Sequence, residues 1–265
     1  MSQAAIANEP VLLRHDADGI ATLTLNRPKA RNALSTELIE ALQHELESIK
    51  ADPKVRAVVI AANGLAFSAG HDLAEVMSLK DPAQFRTLID KCSAMMQTLT
   101  HLPRPVIAKV QAIASAAGCQ LVAACDLAVA ADSARFATPG VNIGLFCHTP
   151  QVALSRKVAP GHALQMLLTG EPVSAQDAWR MGLVTQVVPT AELDAATDKL
   201  ARTVASKSIY TQAIGKRSFH DQLERPLPEA YAVAAGHMVE NMQAEDAKEG
   251  IGAFLQKRPP AWRDR

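Results

Sequence analysis

An α/β core followed by a helical C-terminal portion is the fold class this sequence predicts, and two patterns predict it. Up to about residue 190, short, almost wholly apolar runs alternate with helix-period segments. Beyond that point, four helix-period segments follow one another with no strand between them. The boundary therefore falls between residues 1–190 and 191–265. Size permits this architecture, because a chain of 265 residues that is 48% hydrophobic can bury roughly 70–75% of its unfolded surface.

Taken in order, Val11 to Asn26 reads as a hairpin, two apolar-patterned runs joined by Asp16-Ala17-Asp18-Gly19. Ser35 is placed to cap a helix that carries Leu38, Leu42, Leu46 and Ile49 on one face and ends at Asp52-Pro53. VRAVVIAA then has the composition of a strand buried on both faces. The loop NGLAFSAGHDL leads into a helical region from Leu73 to Leu99, which His101-Leu102-Pro103-Arg104-Pro105 breaks. PVIAKVQAIAS repeats the buried-strand pattern, AAGCQLVAACD is a small-residue helix, and DLAVAA is a third strand. Helices are expected over Ala191–Ser206, Ile209–Leu223, Pro228–Met242 and Ala244–Gln256.

Charge excludes some partners. With 27 basic and 27 acidic side chains there is no electrostatic footprint for nucleic acid or an anionic membrane. The most apolar stretch, Val110 to Ala131, is interrupted by Gln111, Gln120 and Asp126, so no membrane span is expected. MSQAAIANEP has neither the basic nor the apolar region of a secretory signal. Cys92, Cys119, Cys125 and Cys147 form no CxxC pair and read as buried reduced thiols, which points to a cytoplasmic setting.

Several chemistries lack their motifs. There is no GxGxxG, GxxxxGK[ST] or HExxH, and the eight histidines are scattered, so neither a metal nor a cofactor is expected. Ala66-Phe67-Ser68-Ala69-Gly70 approximates a hydrolase nucleophile elbow with Ser68 as nucleophile, but a loop separates it from the preceding strand. The stronger pattern is a repeated design. Ser68-Ala69-Gly70-His71-Asp72 and Ser115-Ala116-Ala117-Gly118-Cys119 each follow a buried strand and enter a helix. Small residues let a ligand oxygen approach the free N–H groups there, and two converging turns would make an oxyanion hole. Tight helix packing explains the same composition without a ligand.

LNRPKARNALS, FSAGHDL, AAGCQLVAACDLAVAADSARFATPGVNIGL, LLTGEPVSAQDAWRMGLVTQVVP and EGIGAFLQKRPPAW together resemble the enoyl-CoA hydratase/isomerase, or crotonase, superfamily from about Val11 to Trp262. The resemblance implies a ClpP/crotonase-like spiral of ββα units. It also implies a helical C-terminal trimerisation region, assembly as a homotrimer or dimer of trimers, and binding of acyl-CoA as substrate or ligand. It assigns the oxyanion donors to the backbone N–H groups of His71 and Ala117. CoA contacts fall on Lys29, Ala30, Arg31, Ala69, Phe254 and Lys257.

The sequence departs from the family at the two glutamates that hold and deprotonate water in its hydratases, whose positions carry Gln120 and Gly140. An amide cannot act as a general base near neutral pH and glycine has no side chain. Losing both groups, each typically worth about 10²–10⁴-fold, predicts weak or absent hydration. His148 stands where one isomerase branch carries an aspartate and is the available substitute base, unless it merely packs. The alternatives are therefore decarboxylation or isomerisation over the oxyanion hole, or acyl-CoA binding without catalysis.

Overall fold

The computed structural model describes residues 9–265, so the reading of the extreme N-terminus as lacking a signal lies outside the described residues. Its first elements are β1 (Leu12–Ala17), β2 (Ile20–Leu25), α1 (Thr36–Ala51), β3 (Ala57–Ala62), β4 (Ala66–Ser68), α2 (Leu73–Ser78) and α3 (Pro82–His101). They are followed by β5 (Val106–Val110), β6 (Ile113–Ser115), α4 (Ala117–Ala124), β7 (Leu127–Ala131) and β8 (Arg135–Ala137). Next come α5 (Pro150–Leu154), α6 (Pro160–Thr169), β9 (Val173–Ser174), α7 (Ala175–Met181) and β10 (Gln186–Val188). The chain closes with α8 (Leu193–Ala205), α9 (Ile209–Leu223), α10 (Leu227–Gln243) and α11 (Glu245–Leu255).

Two sheets organise these elements. The larger has the order β1-β2-β3-β5-β7-β10 and the smaller β4-β6-β8-β9. Three times in succession the chain places a long strand in the larger sheet and the next, short strand in the smaller: β3 then β4, β5 then β6, β7 then β8. Helices follow the first two of these pairs, which gives the ββα spiral. β3 shows why its sequence is apolar throughout. Val58 and Ile60 enter the main core, while Ala57 and Val59 pack with Leu193, Ala201 and Ala205 of α8 on the other face.

Three local features differ from the sequence reading. PVIAKVQAIAS is not one strand but two, because the chain leaves one sheet for the other at Gln111, whose Nε2 donates to the carbonyls of Gly64 and Ala66 at 3.2 and 3.1 Å. The helical region from Leu73 is two helices, since Asp81 caps a new one through the N–H groups of Ala83 and Gln84, with Pro82 in its first turn. NGLAFSAGHDL holds the short strand β4. Its Ser68 is fully buried, and its Oγ donates to the Asn32 carbonyl (2.9 Å), which removes it as a nucleophile. All four cysteines are free and buried, and burial pushes Cys92, Cys119 and Cys125 up to about 12. No helix among the described residues is long and apolar enough to cross a membrane.

Candidate active site

The two small-residue turns meet. Gly70 has φ +94°, and a Cβ there would lie 2.8 Å from the Ala116 Cβ and 3.2 Å from the Ala117 nitrogen, so the turns touch backbone to backbone. Gly118 packs equally tightly, since a Cβ on it would stand 2.7 Å from the Ser68 Cβ. Ala116 holds φ 49° although it is not glycine, with its N–H donated to the Ala137 carbonyl at 2.9 Å.

This arrangement leaves two donors unused. Leu34 bridges to His71 in parallel, its N–H donating to the Gly70 carbonyl (2.7 Å) and its carbonyl accepting from the Asp72 N–H (3.3 Å). His71's own N–H serves neither bond. Ala117 is the first residue of α4, where N–H groups have no intrahelical acceptor, and the ladder starts with Gln120 N–H to the Ala116 carbonyl (3.0 Å). His71 and Ala117 both line one cavity of about 560 Å³, and neither backbone N–H has an acceptor among the described residues.

The rest of that chamber is mostly apolar. Val76 of α2, Phe85, Leu88 and Ile89 of α3, and Leu145 and Phe146 supply its walls, with Ala69 at its edge. Gly140, Cys147, His148 and Thr149 close another side. His148 is exposed and packs on Phe146, with ring centroids 5.1 Å apart. The His71 side chain also lines the chamber, and neither ring nitrogen has a hydrogen-bond partner. Burial pushes its pKa below the ordinary imidazole value, against smaller opposing pulls from the Leu34 backbone and from Glu75.

Gly140 has no room for a side chain. A Cβ there would lie 2.7 Å from the Leu145 carbonyl oxygen and 3.0 Å from the Cys147 Sγ, and the Leu145 N–H donates to the Gly140 carbonyl at 2.9 Å. Gln120, one turn along α4 from Ala117, is 5% exposed and lines an adjoining cavity, with Thr149 a wall of both. Of the two positions that the resemblance assigns to the hydratase glutamates, Gly140 lines the first cavity and Gln120 the adjoining one.

Lys29 and Arg31 are exposed and Ala30 half-buried on a loop joined to the chamber edge by the Ala69 N–H, which donates to the Arg31 carbonyl at 3.0 Å. Phe254 (82% exposed) and Lys257 stand at the end of α11, away from the chamber lining. What sequence reasoning missed is Asn32. It is fully buried; its Oδ1 accepts from the Arg27 N–H (2.8 Å) and its Nδ2 donates to the carbonyls of Asn63 (2.8 Å) and Ala66 (2.9 Å). A polar residue inside an otherwise solvated turn was the available signal. Asp72 caps α2 and pairs with Arg27 at 2.9 Å, which holds its carboxyl below the usual carboxylate range. Asp126 is a structural pin, accepting from Val106 N–H (2.7 Å) and Lys216 Nζ (2.6 Å).

A spiral α/β core with two helix-entering turns converging on one chamber defines a class, and comparison with known proteins agrees. The enoyl-CoA hydratase/isomerase family model matches residues 15–265, and the chain belongs to that family. Within it, the chain is 46% identical over 245 residues to human enoyl-CoA hydratase domain-containing protein 3, mitochondrial, covering 92% of this chain and 81% of the relative. The Xenopus laevis protein of the same name is 43% identical, covering 98% and 89%. The crystal structure of the human protein superposes with TM-score 0.93 at 45% identity, over 95% of this chain and 100% of that one. That of an enoyl-CoA hydratase from Mycobacterium smegmatis gives TM-score 0.94 at 48% identity, over 96% and 99%. The crotonase fold and the domain-containing protein 3 branch are thereby established. The cytoplasmic expectation is overturned, because the frog, mouse and human relatives are all named mitochondrial; buried reduced thiols do not distinguish one reducing compartment from another.

Proposed function

We propose that the chamber holds the acyl group of an acyl-CoA thioester, with the thioester oxygen on the N–H groups of His71 and Ala117. The observation that carries this reading is the pair of unused donors on touching turns, both carried by residues that line one mostly apolar cavity. Such donors stabilise a developing enolate oxyanion by about 3–4 kcal/mol each. The pyrophosphate and pantetheine lie along Lys29, Ala30 and Arg31, the adenine beside Ala69, and Phe254 and Lys257 reach a neighbouring subunit's nucleotide. Residues 191–265 assemble the chain into a trimer or dimer of trimers, a reading supported by exposed Leu227, Tyr231, Met238 and Met242 on α10.

Hydration is weak or absent in this reading, because no carboxylate stands at residue 120 or 140. Thioester polarisation alone still serves decarboxylation of a malonyl-type thioester, where carbon dioxide leaves without prior C–H deprotonation. His148 is placed on the chamber wall to assist proton return or an isomerisation. Mass spectrometry of crotonyl-, 3-enoyl-, malonyl- and methylmalonyl-CoA incubated with the protein in heavy water tests this. Loss of carbon dioxide or deuterium uptake without water gain supports it, and His148→Ala should then lower that turnover. Rapid water gain by crotonyl-CoA would overturn it, and binding with no turnover of any thioester would make the protein a non-catalytic acyl-CoA binder.

A further inference from the structure

The chain doubles back after α11. Lys257 stands just past the helix in the left-handed conformation (φ 54°), a costly one for a residue with a Cβ, and the Arg258 N–H donates to the Ala253 carbonyl at 3.0 Å. Residues 258–265 then run back along α11, held by three acids of its first two turns. Glu249 pairs with the Arg258 guanidinium at 2.6 and 2.9 Å and accepts from the Ala261 N–H at 2.8 Å. Asp246, only 1% exposed, accepts from the N–H groups of Arg263 (2.7 Å) and Asp264 (2.9 Å). Its own N–H donates to the Arg265 carbonyl at 3.0 Å. Glu245 takes the guanidinium groups of Arg263 and Arg265 at 3.4 and 3.1 Å.

The same segment is tied to the body of the fold. Trp262 Nε1 donates to the Ser206 carbonyl (2.9 Å), between α8 and α9. Asp264 pairs with the Arg56 guanidinium at 2.7 and 3.2 Å and accepts from the Ile209 N–H at 2.8 Å. Burial does little of this holding, since Asp246 and Ala253 are the only buried residues of α11. Nor does the end of the helix add to the core, because Phe254 is 82% exposed and Lys257 is exposed. What the segment fixes is the main chain that carries an outward aromatic ring and an outward ammonium group. Those are the two groups that a purine base and a phosphate take, and ordering their backbone beforehand lowers the entropy lost on binding.

We propose that residues 258–265 are a positioning strap, anchored by Asp246, that sets Phe254 and Lys257 for the adenine nucleotide of an acyl-CoA bound by a neighbouring subunit. The inference rests on the reading above that these two side chains reach that nucleotide.

The test is calorimetric binding of octanoyl-CoA, and of octanoyl-pantetheine, which lacks the nucleotide. It uses the full chain and its Asp246→Ala, Arg258→Ala and Phe254→Ala/Lys257→Ala variants. Asp246→Ala should weaken octanoyl-CoA binding about tenfold, and Arg258→Ala, which breaks an exposed pair, about threefold. Both should leave octanoyl-pantetheine affinity unchanged, a split that a general loss of stability would not give. Added to Phe254→Ala/Lys257→Ala, Asp246→Ala should cost less than about twofold more, because the groups it positions are gone. Arg258→Ala changes an exposed side chain and keeps the test open if Asp246→Ala does not fold. Strap variants that keep the wild-type ratio of the two affinities, or that weaken both thioesters equally, would overturn the proposal. If Phe254→Ala/Lys257→Ala still lowers that ratio, the nucleotide reading stands without the strap. If it leaves the ratio unchanged, the nucleotide contact fails and the proposal falls with it.

Discussion

Two halves of the chamber are built by different means. The half made by the turns at His71 and Ala117 carries two main-chain N–H groups without acceptors among the described residues, and it is held by close backbone contacts that only small residues permit. The half made by the segment from Gly140 to Thr149 depends on side chains, and there the position facing the chamber is a glycine with no space for anything larger. This chain has the touching turns without a carboxylate at residue 120 or 140.

The sharpest way to break the first half is Ala117→Pro. Proline is tolerated at the first position of a helix and deletes the N–H there. Turnover of whichever thioester reacts should fall about 10²–10³-fold in steady-state assays, the usual cost of one such donor. A smaller effect with the fold retained would remove Ala117 from the hole. Asn32→Leu attacks the same half from beneath. It strands the Arg27 N–H and the Asn63 carbonyl, while the Ala66 carbonyl keeps its bond from Gln111, and should cost about 2 kcal/mol of unfolding free energy in a denaturant titration.

The second half is probed by restoring acids. Gln120→Glu should raise crotonyl-CoA hydration by less than about tenfold, well short of the 10²–10⁴ that a correctly placed base supplies, because residue 120 lines the other cavity. Gly140→Glu should give no gain and lower the thermal midpoint, since its Cβ would meet the Leu145 carbonyl oxygen at 2.7 Å. A hundredfold gain from either change would contradict that expectation.

The smallest effect concerns His71. Its folded pKa is depressed by burial, so as pH falls below about 6.5 the unfolded chain takes up a proton that the folded chain refuses. Stability is therefore fully present above that value and declines beneath it, by at most about 1.4 kcal/mol per pH unit for one proton. The decline continues until the folded imidazole itself titrates. His71→Gln should flatten that slope in urea midpoints measured between pH 7 and 5.

Much of this was legible in the sequence, for definable reasons. Helix period and buried-strand composition located α1, β3, α4, β7 and the four C-terminal helices to within a few residues, the first four because they bury one face or both, and α10 by its apolar spacing although it buries no residue. The two turns were legible through their small residues. The split of PVIAKVQAIAS was not, since a strand that changes sheets keeps the same mostly apolar composition, and Gln111 at the corner reads no differently from Lys109 within the first strand. The separation of Gln120 from Gly140 was equally hidden. Motif register fixes which residues occupy two positions, but which cavity a side chain enters depends on the path of the 140–149 segment, and no periodicity encodes that.

The central claim is that backbone donors alone polarise a bound thioester. The most direct measurement is the ¹³C chemical shift of an acyl-CoA labelled at its carbonyl carbon, free, bound to the protein, and bound to Ala117→Pro. The account predicts a downfield shift on binding that largely disappears in the variant. A bound thioester whose carbonyl resonance matches that in water would contradict it.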